Sequence, residues 1–225
     1  MAELADALDS GSSEETHTGS IPAGCTKKKK SFYLYKRKDI MKALILLAEG
    51  FEETEAIQTF DVLSRTKKIE VTLASISNEL QVKSSHGLLV NSHDLLKNLN
   101  LDLFDFLILP GGKLGVQNLE NSQLARDTIM LFYKNHKCIH AICAAPPILY
   151  RLKAVDKDTP YICFPGFEQL ENGPHYQDSA EVVDTTYMVT GRSMGYTLKF
   201  ALEIVRHHLS NEDVLAIEKG IFGKR

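Results

Sequence analysis

Lys42 to Ala48 (Lys-Ala-Leu-Ile-Leu-Leu-Ala) is a continuous apolar run of strand length, the pattern of a strand buried on both faces. Glu49-Gly50 ends it, and helical spacing then takes over at Ala56, Ile57, Phe60 and Leu63. Ile69 to Ile76 predicts a second strand. A strand, a helix and a strand within roughly thirty residues make a βαβ unit, which requires a parallel sheet. Leu80–Val82 and Gly87–Val90 predict a small hairpin turned through Lys83-Ser84-Ser85-His86. Phe104 to Leu109 predicts another buried strand, stopped by Pro110-Gly111-Gly112, and Leu124, Thr128, Ile129 and Phe132 mark a helix ending near Asn135-His136. Ile139 to Cys143 reads as a short buried strand that turns at once into a helix over Pro147–Leu152, with proline in the first turn. Tyr161–Phe164 predicts a short strand, and Glu181–Val183 with Tyr187–Thr190 a late strand pair. Leu198, Ala201, Leu202, Val205 and Leu209 repeat at helical spacing, and Asn211–Lys219 predicts a last helix capped by Ser210 or Asn211. Strands alternating with helices predict an α/β, doubly wound sandwich with a mostly parallel sheet. In such folds ligands sit beyond the carboxyl ends of the strands.

Residues 1–40 break this pattern. Gly, Ser, Thr and acidic residues dominate as far as Gly24, followed by Lys27-Lys28-Lys29-Lys30 and Tyr33-Leu34-Tyr35-Lys36-Arg37-Lys38. No apolar period could bury a face there, so the segment is expected to be a disordered or atypical extension. The lysine run suits a solvated tail or an anionic partner. The folded domain is expected to span 41–225, with Met41 a candidate start of translation. The pattern of a secretory leader, charge first and an apolar stretch next, does not occur.

Composition narrows the function. The 225 residues are 44% apolar with a formal net charge of −3, enough for a core and near neutrality. That balance points to neither nucleic acid nor a membrane surface, and no apolar run has the ~18 residues of a membrane span. The four cysteines, at 25, 138, 143 and 163, show no CxxC pairing, so a reducing, cytoplasmic setting is expected. Histidines are scattered, with His207-His208 adjacent on a helix and aimed apart; no metal and no cofactor are expected.

Three strand ends carry unusual residues. Cys143 sits where a strand turns sharply into a helix, the geometry of a nucleophile elbow with backbone N–H groups free to face the side chain. The helix terminus is expected to lower its pKa from about 8.5 towards neutrality or below. The plain alternative is a packed cysteine at the end of an apolar strand. Glu52, Glu53 and Glu55 crowd the start of the first helix, where the helix dipole favours carboxylates. Glu52 and Glu55 share one face. A carboxyl leaning over the elbow would be half-buried with a raised pKa, able to pass a proton. Gly111-Gly112 allows a tight turn, or lets a substrate approach the backbone so that the Gly112 and Ala144 N–H groups form an oxyanion pocket.

Taken together, Glu49-Gly50-Phe51-Glu52-Glu53-Thr54-Glu55, Leu109-Pro110-Gly111-Gly112, Ala141-Ile142-Cys143-Ala144-Ala145-Pro146 and Gly173-Pro174-His175-Tyr176 resemble the DJ-1 family of the DJ-1/ThiJ/PfpI superfamily, over Met41 to Lys219. The resemblance implies a flavodoxin-like fold, usually a homodimer, with Cys143 as nucleophile and oxidation-sensitive thiol. It also implies Glu55 as partner carboxyl and Gly112 and Ala144 as backbone donors. The family activities are conversion of methylglyoxal to lactate without glutathione (glyoxalase III type), protein deglycation, and redox sensing or chaperone-like protection. Two departures stand out. The protease-like branch carries His after the cysteine, where this chain has Ala144; some relatives carry His before a proline, where it has Phe164-Pro165. His175, His86 and Gly111 are then auxiliary candidates only if they fold near Cys143. Arg192 matches a family arginine read as structural or interfacial, and Cys138 and Cys163 read as strand residues. The expected function is a cofactor-independent cysteine enzyme for α-oxoaldehydes or glycated proteins. The alternatives are a non-enzymatic sensor or chaperone using Cys143 and, behind it, a peptidase- or amidotransferase-like hydrolase.

Overall fold

A computed structural model describes residues 40–168 and 175–223. The expected N-terminal extension, apart from Ile40, and Gly173-Pro174 lie outside the described residues. The described residues open with β1 (Met41–Leu47), α1 (Glu53–Arg65) and β2 (Ile69–Ser75), the expected βαβ unit. A two-stranded hairpin, β3 (Gln81–Lys83) and β4 (Leu89–Asn91), and a short β5 (Asp94–Leu95) follow. Then come β6 (Phe106–Leu109), α2 (Lys113–Asn121), α3 (Gln123–Lys134), β7 (Cys138–Ile142) and α4 (Pro146–Arg151). β8 (Val182–Asp184), β9 (Val189–Gly191), α5 (Thr197–His208) and α6 (Asn211–Phe222) complete it.

The main sheet has the order β5-β2-β1-β6-β7-β9-β8, parallel except for β8. This is the doubly wound, flavodoxin-like arrangement expected. The apolar runs explain it, because alternate residues of each strand face opposite layers. Leu44 and Leu46 of β1 pack with Val116, Ile129 and Phe132 on one face; Ala43, Ile45 and Leu47 pack with Leu63, Phe200 and Ile204 on the other. Among the described residues no helix is long and apolar enough to cross a membrane.

The chain winds outward from β1 to β2, then crosses to β6 on the other side. The crevice beyond the ends of β1 and β6 is therefore the switch point where such sheets bind ligands. Lys113–Asn121 is a helix where the sequence pattern named no element. One local expectation is corrected. Tyr161–Phe164 forms no strand; one bridge between Tyr161 and Tyr176 holds it, since each edge there has a single partner residue.

Candidate active site

The loop after β1 and the loop after β6 are stitched together. Glu52 N–H donates to the Gly111 carbonyl at 3.0 Å, and Gly115 N–H to the Gly50 carbonyl at 3.1 Å. Gly112 adopts φ +90°, and a side chain there would run into the Gly50 carbonyl and the Phe51 backbone. This seam starts α1 beside the sheet and points Glu55, in its first turn, inward. Glu55 is 1% exposed. Its Oε2 accepts the Gly111 N–H at 2.7 Å, while the buried Oε1 has no partner of hydrogen-bond geometry. Burial pushes the carboxyl up to about 7, against the Cys143 thiol and the Gly111 N–H, which favour its ionised form; Glu52 adds to the rise.

Cys143 follows β7 at φ +62°, a left-handed conformation that a residue with a Cβ adopts at a cost of roughly 1–3 kcal/mol. The backbone is pinned on both sides. Cys143 N–H donates to the Gly191 carbonyl at 2.9 Å, and its carbonyl accepts the Phe164 N–H at 2.8 Å. The bend turns the thiol towards Glu55, and the N–H groups of Ala144 and Gly112 face the sulfur. Gly111 allows that meeting: a Cβ there would stand 2.7 Å from both the Cys143 Cβ and the Glu55 Oε2. The elbow, the carboxyl, the two backbone donors and Gly111 thus lie together at one place.

The charge state differs from expectation. Burial first, and then the Glu55 carboxylate, push the Cys143 thiol up rather than down, outweighing the Ala144 and Gly112 N–H groups. The helix terminus does not lower it because α4 has only six residues, and a carboxylate at contact distance acts more strongly than so short a dipole. At neutral pH the pair is a thiol facing a carboxylate near its midpoint. Such a pair can pass a proton from sulfur to carboxylate when the sulfur acts as a nucleophile.

The two auxiliary histidines are placed elsewhere. His86 is exposed and its Nδ1 lies 3.0 Å from Glu53 Oε1. Burial opposes ionisation of Glu53, but its own N–H, His86 and Ser85 outweigh that and bring it down to about 2. So of the three glutamates only Glu55 enters the site, while Glu53 holds the hairpin. His175 pairs with Asp158 at 3.4 Å. Phe164 offers Cys143 only its backbone N–H. Arg192 donates to the Ala180 carbonyl at 2.9 Å. Cys163 is fully buried. No imidazole hydrogen-bonds Cys143 among the described residues.

Two groups of described side chains bring potential metal donors within 4.8 Å of one another: Cys138, His207 and His208, and the half-buried Glu52 and Glu53 with the exposed His86. Neither contains Cys143. The first was missed in the sequence, where Cys138 passed for a strand residue and the histidines for a divergent pair. A cavity of about 970 Å³ lined by Tyr133, Lys137, Asp156 and Tyr187 lies at the opposite end of the sheet and shares no residue with the Cys143 site.

Comparison with known proteins agrees with this geometry. Residues 41–207 match the DJ-1/PfpI family. The chain is 33% identical over 180 residues to Protein dj-1beta of Drosophila melanogaster, covering 80% of this chain and 95% of that one. It is 30% identical to the Parkinson disease protein 7 homolog of Danio rerio, over 76% of this chain and 91% of the other. The crystal structure of Drosophila melanogaster DJ-1beta superposes with a TM-score of 0.77 at 32% identity, covering 81% and 98% of the two chains.

Proposed function

This chain belongs to the DJ-1/PfpI family, and on that premise we propose that it is a cofactor-independent cysteine enzyme converting α-oxoaldehydes to hydroxy acids, methylglyoxal to lactate being the simplest case. The observation that carries the reading is a thiol on a strained elbow meeting a buried carboxyl whose pKa is about 7. Cys143 attacks the aldehyde carbon as Glu55 takes the thiol proton; the hemithioacetal oxygen, held by the Gly112 and Ala144 N–H groups, then receives that proton and leaves Glu55 ionised again. A proton then leaves that carbon and is returned to the neighbouring one through Glu55, giving a thioester of the hydroxy acid. Water cleaves the thioester, releasing lactate and restoring the thiol. Early aldehyde adducts of proteins would enter by the same steps. We propose that it works as a homodimer, as its resemblance to the DJ-1 family implies.

The test is lactate formation from methylglyoxal by the purified chain, without glutathione. Turnover is expected in the parent protein and none above background in Cys143→Ala; turnover that survives the substitution overturns the mechanism. A second reading rests on the same raised carboxyl, which when protonated can donate to a sulfinate on Cys143 and preserve it as a redox signal. A two-oxygen mass gain at Cys143 under mild peroxide, with no lactate formed, selects that reading instead.

A further inference from the structure

Cys143 occupies one end of β7; the other end carries a second thiol with partners of its own. α5 follows β9, which lies parallel beside β7, and runs back so that its last turn returns His207 and His208 to the start of β7. Cys138 is the first residue of β7 and is half-buried. His207 Nε2 lies 3.5 Å from the Cys138 sulfur, and Nδ1 of the same ring lies 2.7 Å from Asp184 Oδ1 at the end of β8. Facing a carboxylate, Nδ1 carries a proton, so Nε2 is the ring atom that exchanges one with the sulfur. Burial lowers the His207 pKa, but Asp184 first and then Cys138 outweigh it and raise the ring to about 9. The His207 side chain is 6% exposed and Asp184 38%, so the trio opens to solvent on its carboxylate side.

His208 and His140 are committed to each other. Val189 N–H donates to His140 Nδ1 at 2.9 Å, which leaves the His140 proton on Nε2, 2.8 Å from His208 Nε2. That lone pair of His208 is therefore taken, its ring stacks on Phe106 at 4.0 Å, and burial keeps both rings neutral. The neighbourhood so lacks the third free donor a metal would need. What remains is a sulfur, an imidazole and an orienting carboxylate in line, the arrangement that activates a nucleophilic thiol.

We propose that Cys138, His207 and Asp184 form a second reactive thiol centre, which a peroxide oxidises independently of Cys143. The sulfur passes its proton to Nε2 of His207, attacks one peroxide oxygen as a thiolate, and the O–O bond breaks. A sulfenic acid forms on Cys138 as the sulfur loses two electrons, and the departing oxygen takes a proton from His207 and leaves as water.

The experiment uses the full chain carrying Cys143→Ala, because cleavage after Lys137 and Arg151 puts both thiols in one peptide. The protein is exposed to dilute hydrogen peroxide with a sulfenic-acid-trapping diketone, and adducts are timed by peptide mass spectrometry. The expected result is an adduct on Cys138 with Cys163 unmodified, formed about tenfold or more slowly in His207→Gln and in Asp184→Asn. No adduct on Cys138, or an unchanged rate in His207→Gln with Cys163 still protected, overturns the proposal. If His207→Gln exposes Cys163 by loosening the fold, Asp184→Asn decides: an unchanged rate there overturns it and a slower one supports it. Because Cys143 is absent throughout, the outcome is independent of the proposed enzyme activity.

Discussion

The two ends of β7 place the same side chain in opposite electrostatic company. At the carboxyl end Cys143 faces Glu55, and burial with a carboxylate keeps the sulfur protonated. At the amino end Cys138 faces His207, an imidazole that Asp184 holds charged to about 9. The difference comes from topology. A parallel sheet gathers loops with glycine and first-turn carboxylates at its carboxyl edge, while the last turns of returning helices, where cationic side chains are favoured, arrive at its amino edge. On the proposed chemistry one thiol needs its neighbour to accept a proton before it can attack; the other sits beside a neighbour that supplies positive charge.

The largest expected effect is at Glu55. If its carboxylate takes the Cys143 proton, Glu55→Gln keeps the oxygen that accepts the Gly111 N–H but lowers lactate formation by about 10² or more at about pH 8. The parent's turnover should rise with pH through about 7, as the carboxyl ionises. A glutamine variant with undiminished turnover, or a parent profile flat across that range, removes the proton acceptor from the comparison.

Next comes the residue that lets the pair touch. Gly111→Ala inserts a methyl 2.7 Å from both the Cys143 Cβ and the Glu55 Oε2, with the Ala144 nitrogen at 3.1 Å. Backbone and a fully buried carboxyl surround it, so the thiol and carboxyl must part. Turnover should fall about tenfold or more, with a stability loss of roughly 1–3 kcal/mol in denaturant titration. Oxidation of Cys138 should be untouched, which makes this variant a direct test of whether the two ends are separate.

Most of the carboxyl-edge site was readable from sequence because each part is local: a strand ends, a glycine pair turns, a carboxylate opens a helix. Glu55, Gly111, Gly112, Cys143 and Ala144 all stand within a few residues of such a boundary. The fold was readable for a similar reason, since strands buried on both faces appear as uninterrupted apolar runs. Helix α2 was not, because its short apolar pattern leaves Leu114 half exposed and begins directly after the glycine turn. His207 was not readable either. It lies 69 residues from Cys138 and 23 from Asp184, and only the return of α5 along the sheet joins them. The sign of the Cys143 shift needed a depth of burial that no local pattern encodes.

Stability should respond at the same two places. Glu55 is raised from 4.5 to about 7 on folding, so the folded state holds that proton more tightly than the unfolded chain does. Its contribution is complete below about 4.5 and is lost as pH rises through about 7, a change of roughly 3 kcal/mol. Glu55→Gln should therefore be the more stable protein above about pH 7 by up to that amount, and no more stable than the parent at about pH 4. Equal unfolding midpoints at both pH values would show that the carboxyl is not the buried, proton-holding group described.

The smaller counterpart lies at His207, whose folded pKa of about 9 is also raised, from 6.5. Its contribution is present below 6.5 and is lost as pH rises through about 9, so His207→Gln should cost about 2 kcal/mol near neutrality and progressively less in alkali. His140 and His208 work in the opposite direction. Burial lowers both, so their neutral rings favour the folded state above 6.5 and that support is lost as pH falls. The difference between parent and His207→Gln, rather than either curve alone, isolates the imidazole that faces Cys138. Asp184→Asn should shrink the same alkaline change by releasing Nδ1 from its carboxylate, and a parent-minus-variant difference that stays constant from neutrality to alkali would leave Cys138 without its cationic partner.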